Sequence, residues 1–394
     1  MQGAPPRLTI LYHHRTRSRD GQSVHIDEMI RAWRAQGHTV VVVGPRRVEA
    51  TVESIEQQVL PTFLYEALEF GYSFLEFFKL AGAAIRSRPD FLYERENIFM
   101  LSGLWVSRLF RLPLLLEVNS PLAQERAQHG KLFWRKFAAW TEHLCWRGAS
   151  VVLPVTDVLA DYIRREGVPS DRIVVTPNGV DPEIFRRQDD NAAKQRLGLQ
   201  DRLVLGFVGY IREWHGLDRV VDLLANRPSM KNATLLVVGD GPARASLEAQ
   251  AARLGIADRV QITGTMPRDA LPSLIASFDI ALQPKVTAYA SPLKLFEYMA
   301  EGRTIVAPAT PNIREILEDG HDALLYPPDS VTGLTEAIER LVQDAELRQR
   351  LGDAAAAKIV NRELTWDGNA RRVAALGRSF LRAGANSGLA DSRP

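Results

Sequence analysis

Short apolar segments alternate with helix-length segments along most of this 394-residue chain. The alternation is clearest in the second half, where strands are predicted at 203–208, 234–238, 260–262, 280–283, 304–307 and 323–326. Two neighbouring parallel strands need a crossover connection between them, which is usually a helix. Strands that alternate with helices are therefore expected to be parallel. This half of the chain is therefore predicted to form a parallel sheet with helices on both faces.

The first half opens with the same pattern. A strand that ends at Tyr12 is followed by a helix over about 23–36, which Gly37 terminates, and by a strand over 39–43. The second strand is an unbroken β-branched run, which is typical of a strand buried on both faces. Further strands are predicted at 91–93, 114–118 and 151–155. The predicted fold class is α/β, with two doubly wound Rossmann-like domains that face a central cleft.

The polar segment 186–200 is the predicted linker between the two domains. It separates an N-terminal domain at 1–185 from a C-terminal domain at 186–363. A helix at about 364–382 has a composition that would let it cross back and pack on the first domain. The end of the chain, 383–394, is rich in Gly, Ser, Asp and Pro and is predicted to be disordered.

The overall charge is close to balanced. The chain has 49 Lys and Arg residues against 47 Asp and Glu residues, for a net charge of +2. This balance argues against a polyanion-binding surface, so no nucleic acid partner is expected. The single cysteine, Cys145, excludes an intrachain disulfide and a cysteine-based metal site. No segment approaches the length of a membrane span and the first residues lack a signal-peptide core, so we expect a soluble cytoplasmic protein.

The segment 291–300 is the strongest candidate for a binding site. Ser291 suits an N-cap and Pro292 a first helical residue, and the free N–H groups of such a helix start attract an anion. Lys294 falls in the first turn, where the helix dipole disfavours a cation unless an anion such as a diphosphate is bound. Glu297 lies one turn further and could accept hydrogen bonds from ribose hydroxyls. The alternative is a surface Lys–Glu pair on an amphipathic helix.

Two loops that contain glycine follow predicted strands. The loop 206–216 contains Gly209, which permits close backbone approach, together with Arg212 and His215, which can contact an anion. The loop 237–242 has a Gly-x-Gly turn that begins at Gly239, a weak signal by itself. The alternatives are a structural loop with a solvated arginine and a turn that only reverses the chain.

In the first half, candidate acceptor-binding residues lie at predicted helix and strand ends. Gly21 and His25 are at the start of the first helix, and Glu117 and Asn119 follow a strand and would project toward the cleft. A lone histidine near a helix start is more often satisfied by local contacts. Three arginines lie close to this helix, and we interpret them as solvated rather than acceptor-binding: Arg15, Arg17 and Arg19.

Two stretches rich in aromatic residues, 63–80 and 131–147, allow two interpretations. We favour helices that pack on the sheet, the second through a stripe at helical spacing: Phe133, Phe137, Trp140 and Leu144. The alternative is a peripheral membrane contact of the N-terminal domain, because the second stretch also carries basic residues and this combination suits the membrane interface.

Together these segments resemble the retaining GT-B glycosyltransferases of family 4, also called group 1. The resemblance spans almost the whole chain and keeps the family's order. It is carried by six segments: Gly-Gln-Ser-Val-His at 21–25, Thr-Pro-Asn-Gly-Val-Asp at 176–181 with Phe185, 209–216, Gly-Asp-Gly-Pro at 239–242, 291–300, and 302–307 with 313–315 behind it. The motif Ser-Pro-Leu-Lys-Leu-Phe-Glu-Tyr-Met-Ala is similar to a subgroup common among bacterial exopolysaccharide and cell-surface glycan enzymes.

The resemblance implies a nucleotide-sugar donor, UDP- or GDP-linked, in the C-terminal domain and a glycan or lipid-linked acceptor in the N-terminal one. It also implies transfer with retention, without a metal or other cofactor. Glu297 matches the second carboxylate of the family's E-x7-E motif and is expected to bind the donor ribose. Ser291, Pro292 and Leu293 match the backbone cradle for the diphosphate.

The chain departs from the family pattern at two places. Tyr289 stands where the family has the first carboxylate of E-x7-E, so the contact that the family makes to the donor sugar ring is either missing or supplied by another residue. Tyr210 and His215 stand where the family has Arg and Lys, so charge neutralisation must come from other residues. The expected catalytic residues are Arg212, Lys294 and Glu297.

Three functions therefore compete at the level of sequence. We favour a retaining hexosyltransferase of bacterial cell-surface or exopolysaccharide synthesis, in the cytoplasm or peripheral at the inner face of the membrane. A sugar-nucleotide epimerase on the same fold would convert its donor without an acceptor. A non-catalytic nucleotide-sugar-binding protein, suggested by Tyr289, would bind the donor without turnover.

Overall fold

The computed structural model describes residues 6–16, 21–45, 60–128, 130 and 132–390. The chain forms two compact units: Met1–Pro177 together with Trp366–Pro394 (unit 1), and Asn178–Thr365 (unit 2). The first boundary lies before the 185/186 position expected from sequence, because the N–H of Val180 donates to the carbonyl of Leu364 at 3.2 Å. The segment 186–200 is not a linker, since it contains a helix of unit 2 at Asp190–Leu197.

Unit 1 contains a five-stranded parallel sheet. Its strands are β1 (Thr9–His13), β2 (Thr39–Val43), β3 (Phe91–Arg95), β4 (Leu114–Val118) and β5 (Val151–Pro154), in the spatial order β2-β1-β3-β4-β5. Its first helices are α1 (Gly21–Ala35), α2 (Thr62–Ser87), α3 (Ser102–Phe110), α4 (Leu122–Gln128), α5 (Arg135–Gly148) and α6 (Asp157–Arg165). The strands lie close to their predicted positions, because strands of a covered parallel sheet are continuous apolar runs.

Unit 2 contains a six-stranded parallel sheet. Its strands are β6 (Leu203–Val208), β7 (Ala233–Val238), β8 (Val260–Ile262), β9 (Ile280–Leu282), β10 (Thr304–Pro308) and β11 (Leu324–Tyr326), in the order β11-β10-β9-β6-β7-β8. Its helices are α7 (Asp190–Leu197), α8 (Leu217–Asn226), α9 (Arg244–Arg253), α10 (Leu271–Ile275), α11 (Leu293–Ala300), α12 (Pro311–Arg314), α13 (Val331–Gln343) and α14 (Ala345–Asn361).

Both faces of the unit 2 sheet are covered. Leu205, Phe207 and Leu235 belong to one buried apolar cluster, and Val204 and Leu236 belong to another. Since successive side chains of a strand point to opposite faces, the two clusters lie on the two sides of the sheet. The predicted α/β fold with two doubly wound Rossmann-like units is therefore confirmed.

The last helix, α15 (Trp366–Ala390), belongs to unit 1, where the indole N–H of Trp33 donates to the carbonyl of Ala370 at 3.0 Å. The sequence predicts disorder from 383, but the helix continues to Ala390; 391–394 lie outside the described residues. No proline interrupts this stretch, and extending an existing helix costs far less than nucleating one. Among the described helices, none combines the length and the apolar composition that crossing a bilayer requires.

Helix α5 buries a different face from the one expected. Its buried residues are Ala138, Thr141, Glu142, Cys145 and Trp146. Phe133 and Trp140, expected in the core, are 65% and 51% exposed. Polar contacts explain the rotation: the indole of Trp146 donates to Glu96, and Glu142 accepts from the N–H of Ala123 at 3.2 Å. The prediction from apolar periodicity of which face of α5 is buried was therefore wrong.

Candidate active site

The strand order of unit 2 reverses at β6, which lies between β7 and β9. Ligands of open parallel sheets bind at the C-terminal ends of the strands at such a point. Three predicted segments meet this criterion: the loop after β6 contains Gly209, the loop after β7 contains Gly239, and α11 follows the loop after β9.

The loops after β6 and β7 touch through their backbones. The N–H of Gly209 donates to the carbonyl of Val238 at 3.0 Å, and the N–H of Ile211 donates to that of Asp240 at 2.8 Å. Gly239 has φ 145°, and a Cβ there would lie 2.1 Å from the carbonyl oxygen of Gly209. Only glycine fits this approach, so the two loops form one rigid backbone surface.

Lys294 extends from the first turn of α11 to this surface. Its Nζ lies 3.8 Å from the ring centroid of Phe207. A Cβ built on Gly209 would lie 3.1 Å from the same Nζ atom. Burial lowers the pKa of Lys294 to about 7, and the carboxylate of Glu297 offsets only part of this effect. Within the described part of the chain the ammonium has no ion-pair partner. An anionic ligand at this point would supply the missing counter-charge.

His215 and Arg212 shape the loop after β6. His215 is buried, and its Nδ1 accepts the backbone N–H of Arg212 at 3.2 Å. Burial, reinforced by Lys294 and Arg212, lowers the pKa of His215 to about 3, so its ring is neutral. The guanidinium of Arg212 is exposed and stacks over the ring of Tyr210 at 4.9 Å. The structure thus places Arg212 at the loop tip and Lys294 in the interior, and their contact with a donor stays a prediction.

The start of α11 is fixed by a segment that the sequence did not single out as a contact. Ser291 does not cap the helix: its Oγ accepts from the N–H of Asn178 at 3.2 Å, and its carbonyl accepts from Asn178 Nδ2 at 2.6 Å. Pro292 occupies the N-cap position, and the helix begins at Leu293, one residue later than predicted. The first N–H groups of the helix therefore follow an anchored segment, as an anion cradle requires.

Glu297 has a partner that sequence reasoning missed. It is buried, and its Oε1 accepts from Nη1 of Arg268 at 3.2 Å. The guanidinium of Arg268 also lies 5.2 Å from the ring centroid of Phe185. No local pattern links residues so far apart in sequence, so only the fold reveals this pair. Glu297 is consequently held in one orientation before any ligand binds.

Tyr289 lies in a turn that Asn312 fixes. The side-chain amide of Asn312 donates to the carbonyls of Thr287 at 3.1 Å and Ala290 at 2.7 Å. Asn312 is fully buried, so these two hydrogen bonds set the path of the segment before α11. Tyr289, which stands where the family has a carboxylate, therefore lies in a rigid turn, and its side chain is half-buried.

In unit 1, two of the predicted acceptor-binding residues, His25 and Asn119, contact a third, Glu117. Nε2 of His25 lies 3.1 Å from Glu117 Oε2, and Asn119 Nδ2 donates to Oε1 at 2.5 Å. Tyr93 and Arg95, which the sequence did not single out, donate to the same carboxylate. Gly21, the fourth predicted residue, is the first residue of α1.

The electrostatics of this cluster keep Glu117 ionised. Burial alone would raise the pKa of Glu117, but His25 and Arg95 outweigh burial and hold the pKa well below its usual range. The His25 ring also packs edge-on against Trp366 of α15, with centroids 4.9 Å apart. Glu117 therefore positions His25 and Asn119 rather than acting as a base.

The predicted arginines have different outcomes. Arg15 is half-buried and pairs with Glu69 at 3.6 Å, so its interpretation as a solvated side chain is wrong. Arg17 and Arg19 lie outside the described residues.

A second buried histidine cluster lies at the end of β1 and was missed by sequence reasoning. Nδ1 of His13 is 2.7 Å from Glu94 Oε2, and Nε2 is 3.5 Å from Glu76 Oε2. Burial alone would lower the pKa of His13, but Glu94 and Glu76 outweigh burial and raise the pKa to about 9. A Cβ on Gly103 would lie 1.6 Å from Glu94 Oε2, so α3 needs glycine there to admit the carboxylate.

The His13 cluster makes the stability of the protein depend on pH. The folded state raises the pKa of His13 from 6.5 to about 9, so its stabilising effect is complete below pH 6.5 and is lost as pH rises through 9. We expect the free energy of unfolding to differ between wild type and His13→Gln by about 3 kcal/mol more at pH 6 than at pH 9.5. Urea denaturation across this range measures the difference, with the exposed His321→Gln as control. A pH-independent difference would contradict the expectation.

Two family models match the chain in succession. The model of Glycosyltransferase Family 4 matches residues 19–184, and that of Glycosyl transferases group 1 matches residues 189–358. Each model covers most of one unit, and the two matched ranges include Lys294 and Glu297 in unit 2 and the cluster around Glu117 in unit 1.

Curated relatives share about a third or less of their residues with the chain. The α-D-kanosaminyltransferase of Streptomyces kanamyceticus is 28% identical over 262 residues, which is 64% of this chain and 67% of that protein. The D-inositol 3-phosphate glycosyltransferase of Stackebrandtia nassauensis is 34% identical over 221 residues, 53% of this chain and 48% of that protein. This second match therefore spans about half the length of the relative.

Solved structures share the fold at low sequence identity. The Anabaena protein Alr3699/HepE, in complex with UDP and glucose, superposes with a TM-score of 0.74 at 20% identity and covers 95% of this chain and 100% of its own. WaaG, a glycosyltransferase involved in lipopolysaccharide biosynthesis, has a TM-score of 0.68 at 17% identity, covering 91% of this chain and 97% of its own.

Proposed function

Because this chain belongs to the group 1 glycosyltransferases of family 4 and has the GT-B fold, we propose that it transfers a hexose from a UDP- or GDP-sugar with retention of configuration. The acceptor is a glycan or a lipid-linked saccharide of the bacterial cell surface. We further propose that the transfer needs no metal and takes place in the cytoplasm, where nucleotide-sugars are made.

One observation carries the donor half of the proposal: at the point where the strand order reverses, the Lys294 amine lies beside the Gly209 loop with no ion-pair partner among the described residues. A diphosphate bound there would meet Lys294, the first N–H groups of α11 and the backbone of Gly209 and Gly239. The fixed carboxylate of Glu297 would accept hydrogen bonds from the ribose. The Anabaena neighbour, which shares the fold, was solved with UDP and glucose.

The mechanism we propose uses this charge at the moment the donor bond breaks. The bond between the sugar's anomeric carbon and the diphosphate oxygen lengthens, and negative charge grows on the leaving diphosphate. Lys294 and the helix N–H groups stabilise that charge, because they are already oriented toward it. The acceptor hydroxyl attacks from the same face of the sugar, so its proton passes to the departing phosphate and the configuration is retained.

Unit 1 supplies the acceptor half of the proposal. His25 and Asn119 are both held by Glu117, which fixes two hydrogen-bonding side chains at the C-terminal end of β4. Such groups suit the hydroxyls of a saccharide, since each can donate or accept with little loss of side-chain entropy.

A second acceptor class is favoured by the curated relatives. Their names include transferases that act on 2-deoxystreptamine and on inositol 3-phosphate, which are small polyhydroxylated rings. The same cluster around Glu117 could bind the hydroxyls of such a cyclitol. Transfer to soluble cyclitols, tested beside transfer to lipid-linked saccharides, separates the two acceptor classes.

Glu297→Gln tests the donor site. Glutamine has the same volume but lacks the negative charge that orients Arg268. It also lacks the second carboxylate oxygen, which would accept a hydrogen bond from a ribose hydroxyl. We therefore expect the affinity for UDP or GDP to fall by about 1–3 kcal/mol. Thermal-shift titration measures it, with Glu336→Gln on the exposed side of α13 as the matched control. Unchanged affinity in Glu297→Gln would remove the nucleotide from this site.

The same titration identifies the donor class. With the correct nucleotide present at about 100 times its dissociation constant, the wild-type protein should gain about 2.7 kcal/mol of stability. Released nucleotide is then measured with and without acceptor. Conversion of the donor without any acceptor would indicate an epimerase instead, and binding without turnover under any acceptor would indicate a binding protein.

A further inference from the structure

Helix α2 of unit 1 buries its acidic side chains and exposes an apolar face. Its three glutamates, Glu66, Glu69 and Glu76, are 1%, 8% and 2% exposed. Its outward face is apolar, with side chains that are 40–71% exposed: Phe63, Leu64, Leu68, Phe74, Leu75, Phe78 and Ile85. A surface helix of a globular protein normally buries its apolar stripe and exposes its charges. This helix therefore presents to its surroundings the face that would otherwise be buried.

Specific contacts hold the glutamates inside. Backbone N–H groups of Phe133 and Trp134 donate to Glu66 at 2.8 Å each, Arg126 pairs with Glu69 at 2.7 Å, and Nε2 of His13 lies 3.5 Å from Glu76 Oε2. Rolling the helix to bury its apolar face would break these contacts with other elements and leave the backbone N–H groups of Phe133 and Trp134 without an acceptor. The outward orientation is thus part of the fold of unit 1.

The apolar face continues onto neighbouring helices. The ring of Phe63 lies 5.9 Å from that of Phe133, which lies 5.8 Å from Trp134 at the start of α5. On the other side, Phe74 contacts Trp105 of α3 at 5.0 Å. Contiguous exposed apolar surface of this kind marks a site of interaction, because isolated exposed side chains do not adjoin one another in this way.

An apolar cavity lies within the same face. It has a volume of about 270 Å³ and is lined by Glu66, Ala67, Phe70, Phe99, Trp134 and Phe137. The Glu66 carboxylate is occupied by the two N–H groups described above, so what remains to line the space is almost entirely hydrocarbon. The cavity fits a hydrocarbon chain better than a hydrogen-bonding ligand.

Among the described residues, the exposed charges on α2 and at the start of α5 have one sign. On α2, which the structure describes in full, the exposed charged side chains are Lys79 and Arg86, and Arg88 follows at its end. At the start of α5, Arg135 and Lys136 are exposed beside Phe133 and Trp134. An apolar centre with a cationic border is complementary to a lipid surface that carries anionic headgroups.

We propose that the outward face of α2 and the start of α5 dock on a bilayer that contains anionic phospholipid, and that one acyl chain enters the adjoining cavity. This goes beyond the proposed function, because it does not depend on which sugar is transferred. A second copy of the chain would cover the face less well, since its cations would meet like charges. The face combines α2 with the aromatic residues for which the sequence allowed a membrane contact.

Vesicle co-sedimentation of the full chain tests the docking face. Wild type should bind phosphatidylcholine vesicles that contain phosphatidylglycerol, and more weakly those without it. The double variant Leu68→Glu/Phe78→Glu should lose roughly tenfold or more in affinity, because it places carboxylates at the lipid contact. Val360→Glu, an exposed apolar site on α14 of unit 2, is the matched control and should bind as wild type does. Unchanged thermal unfolding shows that the double variant is folded; equal vesicle binding would overturn the proposal.

Light scattering decides between a membrane and a second copy. A wild-type monomer in solution supports the proposal. A wild-type dimer that Leu68→Glu/Phe78→Glu converts to monomer, without vesicle binding by either protein, would assign the face to self-association and overturn it.

Vesicles with brominated acyl chains test the cavity. Trp134 lines the cavity, so bound wild type should lose tryptophan fluorescence and Trp134→Phe, which keeps the apolar surface, should show a clearly smaller loss. The same fractional quenching in both proteins would remove the acyl chain from the cavity.

Discussion

Lys294→Met is expected to reduce glycosyl transfer by roughly 10³-fold while making the ligand-free protein more stable. Methionine fills similar space against the Phe207 ring but cannot neutralise the leaving diphosphate, a loss of the size seen when a preorganised donor is removed. Stability should rise by about 1–3 kcal/mol, because the change removes a buried amine for which the described residues supply no ion-pair partner. The opposite signs distinguish a residue kept for function from one kept for folding.

The pH dependence of donor binding provides the second signature of Lys294. Burial lowers its pKa to about 7 in the free protein, and a bound diphosphate would raise it again. Nucleotide affinity should therefore fall as pH rises above 7, because binding must take up a proton. Titration calorimetry in buffers of different ionisation enthalpy measures this uptake. Lys294→Met should show none, and Lys294→Arg should retain part of the affinity; full activity of Lys294→Met would refute the assignment.

Gly239→Ala is expected to destabilise unit 2 strongly. A Cβ would lie 2.1 Å from the carbonyl oxygen of Gly209, so the loops after β6 and β7 must separate. The strained φ and the clash together should cost about 3 kcal/mol, and the surface proposed to bind the diphosphate should lose its shape. Urea denaturation gives the stability, and a UDP or GDP thermal-shift titration gives the donor affinity.

Gly255→Ala is the matched control for Gly239→Ala. Gly255 also has a positive φ, 70°, but a Cβ there meets no atom within 4 Å. It should cost only about 1 kcal/mol, for the backbone conformation, and leave donor affinity unchanged. If the two variants behaved alike, the close approach of the two loops would not matter.

Features encoded by local pattern could be predicted from the sequence. The strands of unit 2 lie close to their predicted positions because each is an apolar run between polar segments. The segment 291–300 could be singled out because a lysine in the first turn of a helix conflicts with the dipole. The loops with Gly209 and Gly239 could be placed at strand ends, although not against each other.

Pairs of residues far apart in the chain could not be predicted. Arg268 holds Glu297, and Asn178 anchors Ser291, yet no periodicity connects either pair. The buried face of α2 and of α5 could not be predicted either. The usual rule is that a helix buries its apolar stripe, and neither helix follows it. In both helices, buried carboxylates with specific partners outweigh the apolar stripe.

The two connections between the units lie side by side. Unit 2 is the continuous stretch Asn178–Thr365, and Val180 pairs with Thr365 as neighbouring backbone segments. Unit 1 is assembled from both ends of the chain, since α15 returns to it. In genetic terms, unit 2 is a cassette with adjacent ends. Exchange of this cassette, with one crossover at each end, could replace one set of the proposed donor contacts with another and leave the framework of unit 1 unbroken.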